Sequence, residues 1–122
     1  MPNYEALAWA AGFFDGEGSV HVTYAWTRKD GTQGCTIQTA LSQSGESAPN
    51  VLRRFQDALG GLGKIYGPYP PAKNQRLVRY QWEANGFAKT QAAMAMLWSW
   101  LSEPKKQKAT EVFAKYHASR RV

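Results

Sequence analysis

The stretch that decides the fold runs from Leu7 to Val20 and reads LAWAAGFFDGEGSV. Its apolar residues recur near the 3.6-residue period of an α-helix, and Asn3 stands where a helix-capping residue belongs. Two glycines flank Glu17, and glycine tolerates the tight turns that end helices. The stretch therefore predicts a helix that ends in two acids, Asp15 and Glu17, and leads directly into the next element.

Small residues line one side of this predicted helix. They recur at spacings of three and four positions, which places them on one stripe: Ala8, Ala11, Gly12 and Asp15. Such a stripe lets two helix backbones approach closely, and the chain contains no second copy of the segment. We therefore expect either a two-fold dimer in which the stripes of two chains meet, or packing of the stripe against the chain's own sheet.

Glu17 follows the carboxyl end of the helix, where the helix dipole does not stabilise an anion. A nearby cation offsets this, and Mg²⁺ is usually bound by one or two carboxylates together with water and phosphate oxygens. The placement predicts a divalent metal held by Glu17 and a neighbouring backbone carbonyl. A solvated carboxylate in a turn is the simpler alternative.

Alternating residues beyond the turn predict two antiparallel strands. Apolar side chains alternate with polar or small ones from Ser19 to Thr27, and again from Cys35 to Leu41. Asp30-Gly31, between the two runs, is a strong hairpin signal. Each strand is thus expected to have one apolar and one polar face, with Trp26 on the apolar side and Thr27 on the polar side.

The remainder of the chain repeats the helix and hairpin and then adds two helices. The spacing predicts a helix from Ser47 to Gly60, strands over 63–67 and 75–83, a helix from Phe87 to Leu101, and a helix after Pro104. Residues 117–122 are predicted to form a short tail. The order predicts one α+β domain over residues 1–122, with a single antiparallel sheet covered by helices on one face.

Composition and charge narrow the class of protein. The 122 residues have a formal net charge of +6, and 43% of the side chains are hydrophobic and 13% aromatic. This content is typical of a globular domain and excludes a disordered basic tail. Six basic side chains and one acidic side chain fall in residues 104–122, so the charge favours a polyanion as partner.

Several other classes are excluded. The single cysteine, Cys35, rules out a disulfide scaffold and indicates a reducing compartment. No apolar run reaches the roughly 18 residues of a membrane span, so we expect an intracellular protein with no membrane partner, in the cytoplasm or an organelle matrix and associated with DNA. Two scattered histidines provide neither a zinc site nor a nucleophilic triad, and no glycine motif points to a small-molecule cofactor.

The segment from Leu7 to Val20 resembles the defining motif of the LAGLIDADG homing endonucleases, which is often spelled AGFFDGEGS at its end. Ala10 departs from the family's leading Leu. The order of predicted elements resembles the family's α-β-β-α-β-β-α core, with an antiparallel four-stranded saddle sheet and here an extra C-terminal helix. One motif in a short chain is similar to the homodimeric subclass. The resemblance implies a site-specific, metal-dependent endonuclease that cuts both strands of a long, nearly palindromic DNA target.

The resemblance also implies roles for individual residues. Glu17 matches the acid that binds the divalent metal, with the carbonyl of Gly16 as a second ligand, and the ion is Mg²⁺, with Mn²⁺ or Ca²⁺ as substitutes. Gln43 matches a polar residue that orients water. Three lysines stand near the position of a lysine that reaches the scissile phosphate: Lys105, Lys106 and Lys108, with Lys105 slightly favoured over Lys106. Asp15, the earlier acid of the motif, would serve the turn and helix packing.

Target recognition is implied for the polar face of the strands, which would lie in the major groove of double-stranded DNA. The candidates for base contacts are His21, Thr23, Ala25, Thr27, Thr36, Gln38, Ala40, Arg79 and Gln81. The candidates for phosphate contacts, at strand ends and in loops, are Arg28, Lys29, Lys64, Lys73 and Arg76. An ordinary solvated sheet face is the alternative for the first set.

A second function remains open beside cleavage. The fold type also includes proteins without nuclease activity, so a DNA-binding regulator or an RNA maturase is the alternative. Glu17 separates the two, because an inactive binder often lacks this acid. A purely structural domain with no nucleic-acid partner leaves the basic charge unexplained.

Overall fold

The computed structural model describes residues 3–71 and 73–120. The first helix, α1, spans Tyr4–Glu17. Its N-cap is Asn3, whose side-chain oxygen accepts a hydrogen bond from the amide of Ala6 at 3.0 Å. The predicted start and end of this helix are both confirmed.

Eight further elements follow along the chain. They are β1 (Gly18–Thr27), β2 (Gln33–Ser44), α2 (Ala48–Ala58), β3 (Lys64–Tyr69), β4 (Arg79–Asn85), α3 (Phe87–Leu97), a 3₁₀ turn (Trp98–Trp100) and α4 (Glu103–Ser119). Chain order and element type agree with the predicted α-β-β-α-β-β-α core plus one C-terminal helix.

The four strands form one antiparallel sheet in the order β1-β2-β4-β3. The two hairpins therefore lie side by side, with β2 and β4 in the centre. Between β1 and β2, Asp30 accepts hydrogen bonds from the amide and hydroxyl of Thr32 at 2.9 and 2.6 Å, which closes the predicted turn. The α+β architecture with a single four-stranded sheet is confirmed.

The helices pack on one face of the sheet through an aromatic core. Trp82 of β4 is fully buried and meets the ring of Phe55 from α2 edge-on, with ring centroids 4.8 Å apart. Its indole nitrogen donates to the carbonyl of Leu62 at 2.9 Å. Phe14 of α1, also fully buried, stacks against Phe55 from the other side at 6.4 Å. This cluster ties both helices to the sheet, so the end of α1 is held in a defined position.

A bulge in β1 corrects the predicted faces of two residues. Tyr24 pairs with Cys35, but the next pair is Trp26 with Gly34, so one extra residue of β1 is accommodated between them. A one-residue shift moves every later side chain to the opposite face. Trp26 therefore lies with Gly34 on the polar side, and Thr27 pairs with Gln33 on the helix side.

Three predicted boundaries also differ. β4 begins at Arg79, four residues later than predicted. The carbonyl of Val78, just before it, accepts a hydrogen bond from the amide of Gly45 in the loop after β2. The third helix tightens into the 3₁₀ turn before Leu101. The predicted tail is wrong for residues 117–119, which continue α4 to Ser119; the ring of His117 packs edge-on against Phe87 at 5.1 Å. Residues 121 and 122 lie outside the described part.

Within residues 3–71 and 73–120, no helix combines the length and the apolar character that crossing a bilayer requires.

Candidate active site and nucleic-acid interface

The acidic turn of the predicted motif lies at the junction of α1 and β1. Glu17 is the last residue of α1 and its side chain is exposed, as is the neighbouring Gly16. Among the described residues, no hydrogen bond or ion pair involves the Glu17 carboxylate. The ion pair among these residues joins Lys106 to Glu103 on α4. The carboxylate is therefore free to bind a ligand from solution.

The sharp passage from helix to strand depends on Gly18. Its amide donates to the carbonyl of Phe14, and its backbone is already extended. A Cβ atom at this position would stand 2.1 Å from the ring of Phe14. Only glycine therefore lets the chain turn out of the helix directly above the buried phenylalanine.

Lys105 is the lysine that the fold brings to this turn. Its ammonium donates to the carbonyl of Gly18 at 2.7 Å and lies 5.5 Å from the centre of the Phe14 ring. Lys106 points elsewhere: it pairs with Glu103 at 3.8 Å and lies 5.7 Å from the ring of Trp98. The sequence left three lysines in competition: Lys105, Lys106 and Lys108. The structure separates the first two, and the carbonyl that Lys105 contacts belongs to the residue after Glu17.

Asp15 connects the turn to the start of α4. Its carboxylate accepts two hydrogen bonds from the amide of Ser102 and one from the Ser102 hydroxyl, each at 3.1 Å. Ser102 is the N-cap of α4, and Lys105 follows within the first turn of that helix. Asp15 thus makes a contact within the chain, which agrees with a role in helix packing.

Gln43 lies on β2 at the same end of the sheet as the acidic turn. Its cross-strand partner is Tyr80, and Leu41, two residues earlier, is the partner of Gly18. Its amide donates to the carbonyl of Ser42 at 2.9 Å. Gln43 shares a face with the buried Leu41, which is the side that the helices cover.

The small residues on one side of α1 differ in their exposure. Ala11 is fully buried in the chain's own core, so in the single chain its side chain is not presented to a second helix. Gly12 is exposed, and a Cβ atom there would meet nothing within 4 Å. Ala8 is half-buried. The outer edge of the stripe, at Ala8 and Gly12, is thus open to a second helix.

The face of the sheet opposite the helices is polar, and we call it the open face. Paired residues of antiparallel strands share a face, so the register identifies its members. They are Ser19, His21, Thr23, Trp26, Gly34, Thr36, Gln38, Ala40, Ser42, Ser44, Lys64, Tyr66, Tyr69, Arg79, Gln81, Glu83 and Asn85. Seven of the nine base-facing candidates are among them: His21, Thr23, Thr36, Gln38, Ala40, Arg79 and Gln81.

The other two candidates fall outside this face or outside the described structure. Thr27 is carried to the helix side by the bulge in β1. The side chain of Ala25 lies outside the described part of the structure.

Of the basic residues predicted to meet phosphate, four are exposed in loops or on the sheet: Lys29, Lys64, Lys73 and Arg76. Arg28 differs, because its guanidinium donates to the carbonyl of Ser119 and to the hydroxyl of Thr32, the latter at 3.4 Å. Arg28 therefore holds the end of α4 to the first hairpin.

A carboxylate at the centre of the open face was not among the predicted site residues. Glu83 of β4 is half-buried and accepts hydrogen bonds from the side-chain amides of Gln38, Gln81 and Asn85 at 3.0, 2.8 and 3.2 Å. The alternation of residues 79, 81 and 83 is the signal that places it beside Arg79 and Gln81.

No family model matches the chain, and no curated protein matches it in sequence. Solved structures do match. The homing endonuclease I-CvuI in complex with its target is 20% identical with a TM-score of 0.68, over 94% of this chain and 69% of that one. The group I intron-encoded homing endonuclease I-CeuI complexed with DNA is 14% identical with a TM-score of 0.71, over 96% of this chain and 56% of that one.

A third similar structure is the LAGLIDADG homing endonuclease I-GzeII in complex with a DNA target, at 12% identity and a TM-score of 0.65. The match covers 95% of this chain and 39% of that one. The chain has the LAGLIDADG homing endonuclease fold. The motif from Leu7 to Val20, through which the sequence resembles that family, forms α1, the acidic turn and the start of β1 of this fold.

The donors that the LAGLIDADG fold presents at the turn fit a hard cation. Glu17 offers a carboxylate, and the exposed Gly16 offers a backbone carbonyl. Within residues 3–71 and 73–120, no group of three or more His, Cys, Asp and Glu side chains could hold a metal. The single cysteine is buried, with its sulfur donating to the Ser119 hydroxyl at 3.1 Å.

Proposed function

We propose that this chain is a LAGLIDADG homing endonuclease that, as a homodimer, makes a metal-dependent double-strand break in a long, nearly palindromic DNA target. One observation carries the proposal: the Lys105 ammonium donates to the carbonyl of Gly18, the residue after the exposed Glu17, in a fold whose solved neighbours are homing endonucleases bound to their targets or to DNA. An acid and a cation converging at one turn are what phosphodiester hydrolysis requires.

The residues that would hold the metal are Glu17 and the carbonyl of Gly16. Their hard oxygen donors fit Mg²⁺, with Mn²⁺ or Ca²⁺ as substitutes, and the neighbouring I-CvuI structures were obtained in the presence of calcium or magnesium. When bound, the ion supplies Lewis acidity toward the phosphate and its leaving oxygen. One carboxylate per chain is enough, because phosphate oxygens and water complete the shell of Mg²⁺.

Lys105 would stabilise the negative charge that develops on the phosphate. Its ammonium is already positioned by the Gly18 carbonyl, so little reorganisation is needed when DNA arrives. Lys106 would add positive charge nearby and is assigned the lesser role, because it is paired with Glu103. Gln43, at the same end of the sheet, would orient the attacking water.

The open face would lie in the major groove, which admits a two-stranded β-ribbon. Its side chains would read base edges, while exposed lysines and arginines in the loops would bind phosphates and supply most of the salt-dependent affinity. The DNA partner and the intracellular location follow from this function.

A second copy of the chain would supply the second active site. The chain presents a single acidic turn, whereas cutting both strands needs two. Gly12 leaves the outer side of α1 open, so two copies of α1 could approach closely about a two-fold axis. Such an approach would bring the two Glu17 residues together near the scissile phosphates.

The decisive experiment is a cleavage assay on a randomised duplex library with Mg²⁺, comparing wild type with Glu17→Gln. We expect wild type to cut a long, nearly palindromic sequence, and the variant to bind that sequence without cutting it. Tight, sequence-specific binding by wild type with no cleavage of any member would instead support the alternative of an inactive DNA-binding regulator. RNA binding in its place would support a maturase.

A further inference from the structure

Glu83 occupies a central position on the open face. It lies on β4 between Ala40 of β2 and Lys64 of β3, which are its two cross-strand partners. Ala40 carries only a methyl group, so the carboxylate of Glu83 is not covered from that side. Within the described residues, Lys64 makes no ion pair with it. The face thus holds a carboxylate that no cation neutralises.

Three side-chain amides hold this carboxylate in place. Gln38 and Asn85 donate to Oε1 at 3.0 and 3.2 Å, and Gln81 donates to Oε2 at 2.8 Å. Gln81 is itself oriented, because its carbonyl oxygen accepts from the hydroxyl of Ser42 at 2.9 Å. Glu83 is therefore fixed from three directions, and its orientation does not have to be selected when a ligand binds.

The same contacts decide which groups remain for a ligand. An ionised carboxylate has about four acceptor sites and no donor, so three bonds leave one site, on Oε2. Gln38 uses its amide group to donate to Glu83 and to Asn85, at 3.0 and 2.5 Å, which leaves its carbonyl oxygen free. Two acceptors therefore remain at the centre of the open face, and one of them carries charge.

We propose that Glu83 is a specificity-determining residue of the DNA site, and that it selects, at the position it contacts, a base that carries an exocyclic amino group, foremost cytosine through its N4 amino group. A carboxylate accepts from this group in the major groove, whereas the O6 and N7 atoms of guanine and the O4 atom of thymine are acceptors that it repels. The inference rests on the proposed function, since it requires the open face to lie in the major groove.

The test measures binding rather than cleavage. Wild type and Glu83→Gln are each selected against a randomised duplex library with Ca²⁺ present, and the base preference is read at every position. Glu83→Gln keeps the size of the side chain but replaces an acceptor with a donor. Glu46→Gln is the matched control, because it removes the same charge from an exposed residue in the turn after β2.

We expect Glu83→Gln to lose the preference for cytosine at one position of each half-site, by about 5- to 150-fold, while preferences elsewhere stay as in wild type. Glu46→Gln should keep the wild-type preference at every position. Glu83→Ala, with thermal unfolding as a check on folding, should relax the same position.

Two results would overturn the inference, and they are distinguishable. If Glu83→Gln raises affinity equally for all sequences, as Glu46→Gln does, Glu83 acts through charge alone. If wild type selects no sequence from duplex DNA, the proposed function itself fails and the inference fails with it.

Discussion

The carboxylate of Asp15 accepts three hydrogen bonds from Ser102, a residue 87 positions later in the chain. This contact joins the end of α1 to the N-cap of α4. It thereby sets the distance between the acidic turn, which holds Glu17, and the first turn of α4, which holds Lys105. Two residues of the proposed active site are thus held relative to each other by a contact between Asp15 and Ser102.

Replacing Asp15 with alanine should remove the contact with Ser102 and destabilise the fold. The lost bonds include one to the amide at the start of α4, so we expect a loss of about 1–2 kcal/mol in the free energy of unfolding. Urea denaturation measures it. Asp15→Asn keeps one acceptor oxygen and should lose less; an unchanged midpoint for Asp15→Ala would contradict the anchoring role.

Lys105→Met should lower the cleavage rate far more than Lys106→Met. Lys105 contacts the Gly18 carbonyl beside Glu17, whereas Lys106 is paired with Glu103. Removing a preorganised cation from a developing charge costs roughly 10²- to 10³-fold in rate. Single-turnover cleavage of the selected target provides the measurement, with Lys106→Met as the matched control. Equal losses in the two variants would show that the contact with Gly18 does not determine the catalytic lysine.

Gly12→Leu should disrupt the proposed dimer without unfolding the chain. A side chain at Gly12 enters open space in the single chain, so the fold tolerates it, but it would separate two helices that meet there. Analytical ultracentrifugation should show a shift toward monomer, and DNA binding should weaken. Gly12→Ala, which adds only a methyl group, should disrupt the dimer less. A Gly12→Leu protein that stays dimeric and binds DNA as wild type does would place the interface elsewhere.

Gly18→Ala should destabilise the fold, and Gly16→Ala should not. The added methyl at residue 18 would meet the buried ring of Phe14 at 2.1 Å, and such overpacking costs about 1–3 kcal/mol. At Gly16, nothing lies within 4 Å of the new atom, and alanine favours a helix over glycine. Thermal unfolding compares the two. A stable Gly18→Ala protein would mean that the Phe14 ring can move aside.

The stabilising contribution of Asp30, in the turn between β1 and β2, should decrease at acidic pH. The hydroxyl and amide of Thr32 donate to Asp30 and, with the charge of Arg28, hold the pKa of that carboxyl below its usual value. A lowered pKa stabilises the fold above the unfolded-state pKa, and this contribution is lost as the pH falls through the folded-state pKa. The stability difference between wild type and Asp30→Asn should therefore shrink on acidification. A difference that stays constant from neutral to acidic pH would exclude the linkage.

Local signals in the sequence predicted most of the helices and strands and their order. The cap at Asn3, the helical period through Phe14 and the alternation around Val20 each depend on residues a few positions apart, so elements and their order are readable from the chain. The acidic turn and Glu17 were readable for the same reason. The polar face was largely readable too, because alternation assigns side chains to faces wherever a strand is regular.

Contacts between segments far apart in the chain could not be predicted from the sequence and required the tertiary structure. The choice of Lys105 over Lys106 depends on how the start of α4 lies against the turn between α1 and β1, and the use of Asp15 within the chain depends on Ser102. The bulge that moves Thr27, the burial of Ala11 in the core and the amides around Glu83 arise where separate elements meet. The sequence by itself determined the elements and the acid of the candidate site, because short-range periodicity and turn chemistry encode them. Only packing decided which lysine contacts the residue after that acid and which carboxylate lies at the centre of the open face, because both depend on register and distance between elements far apart in the chain.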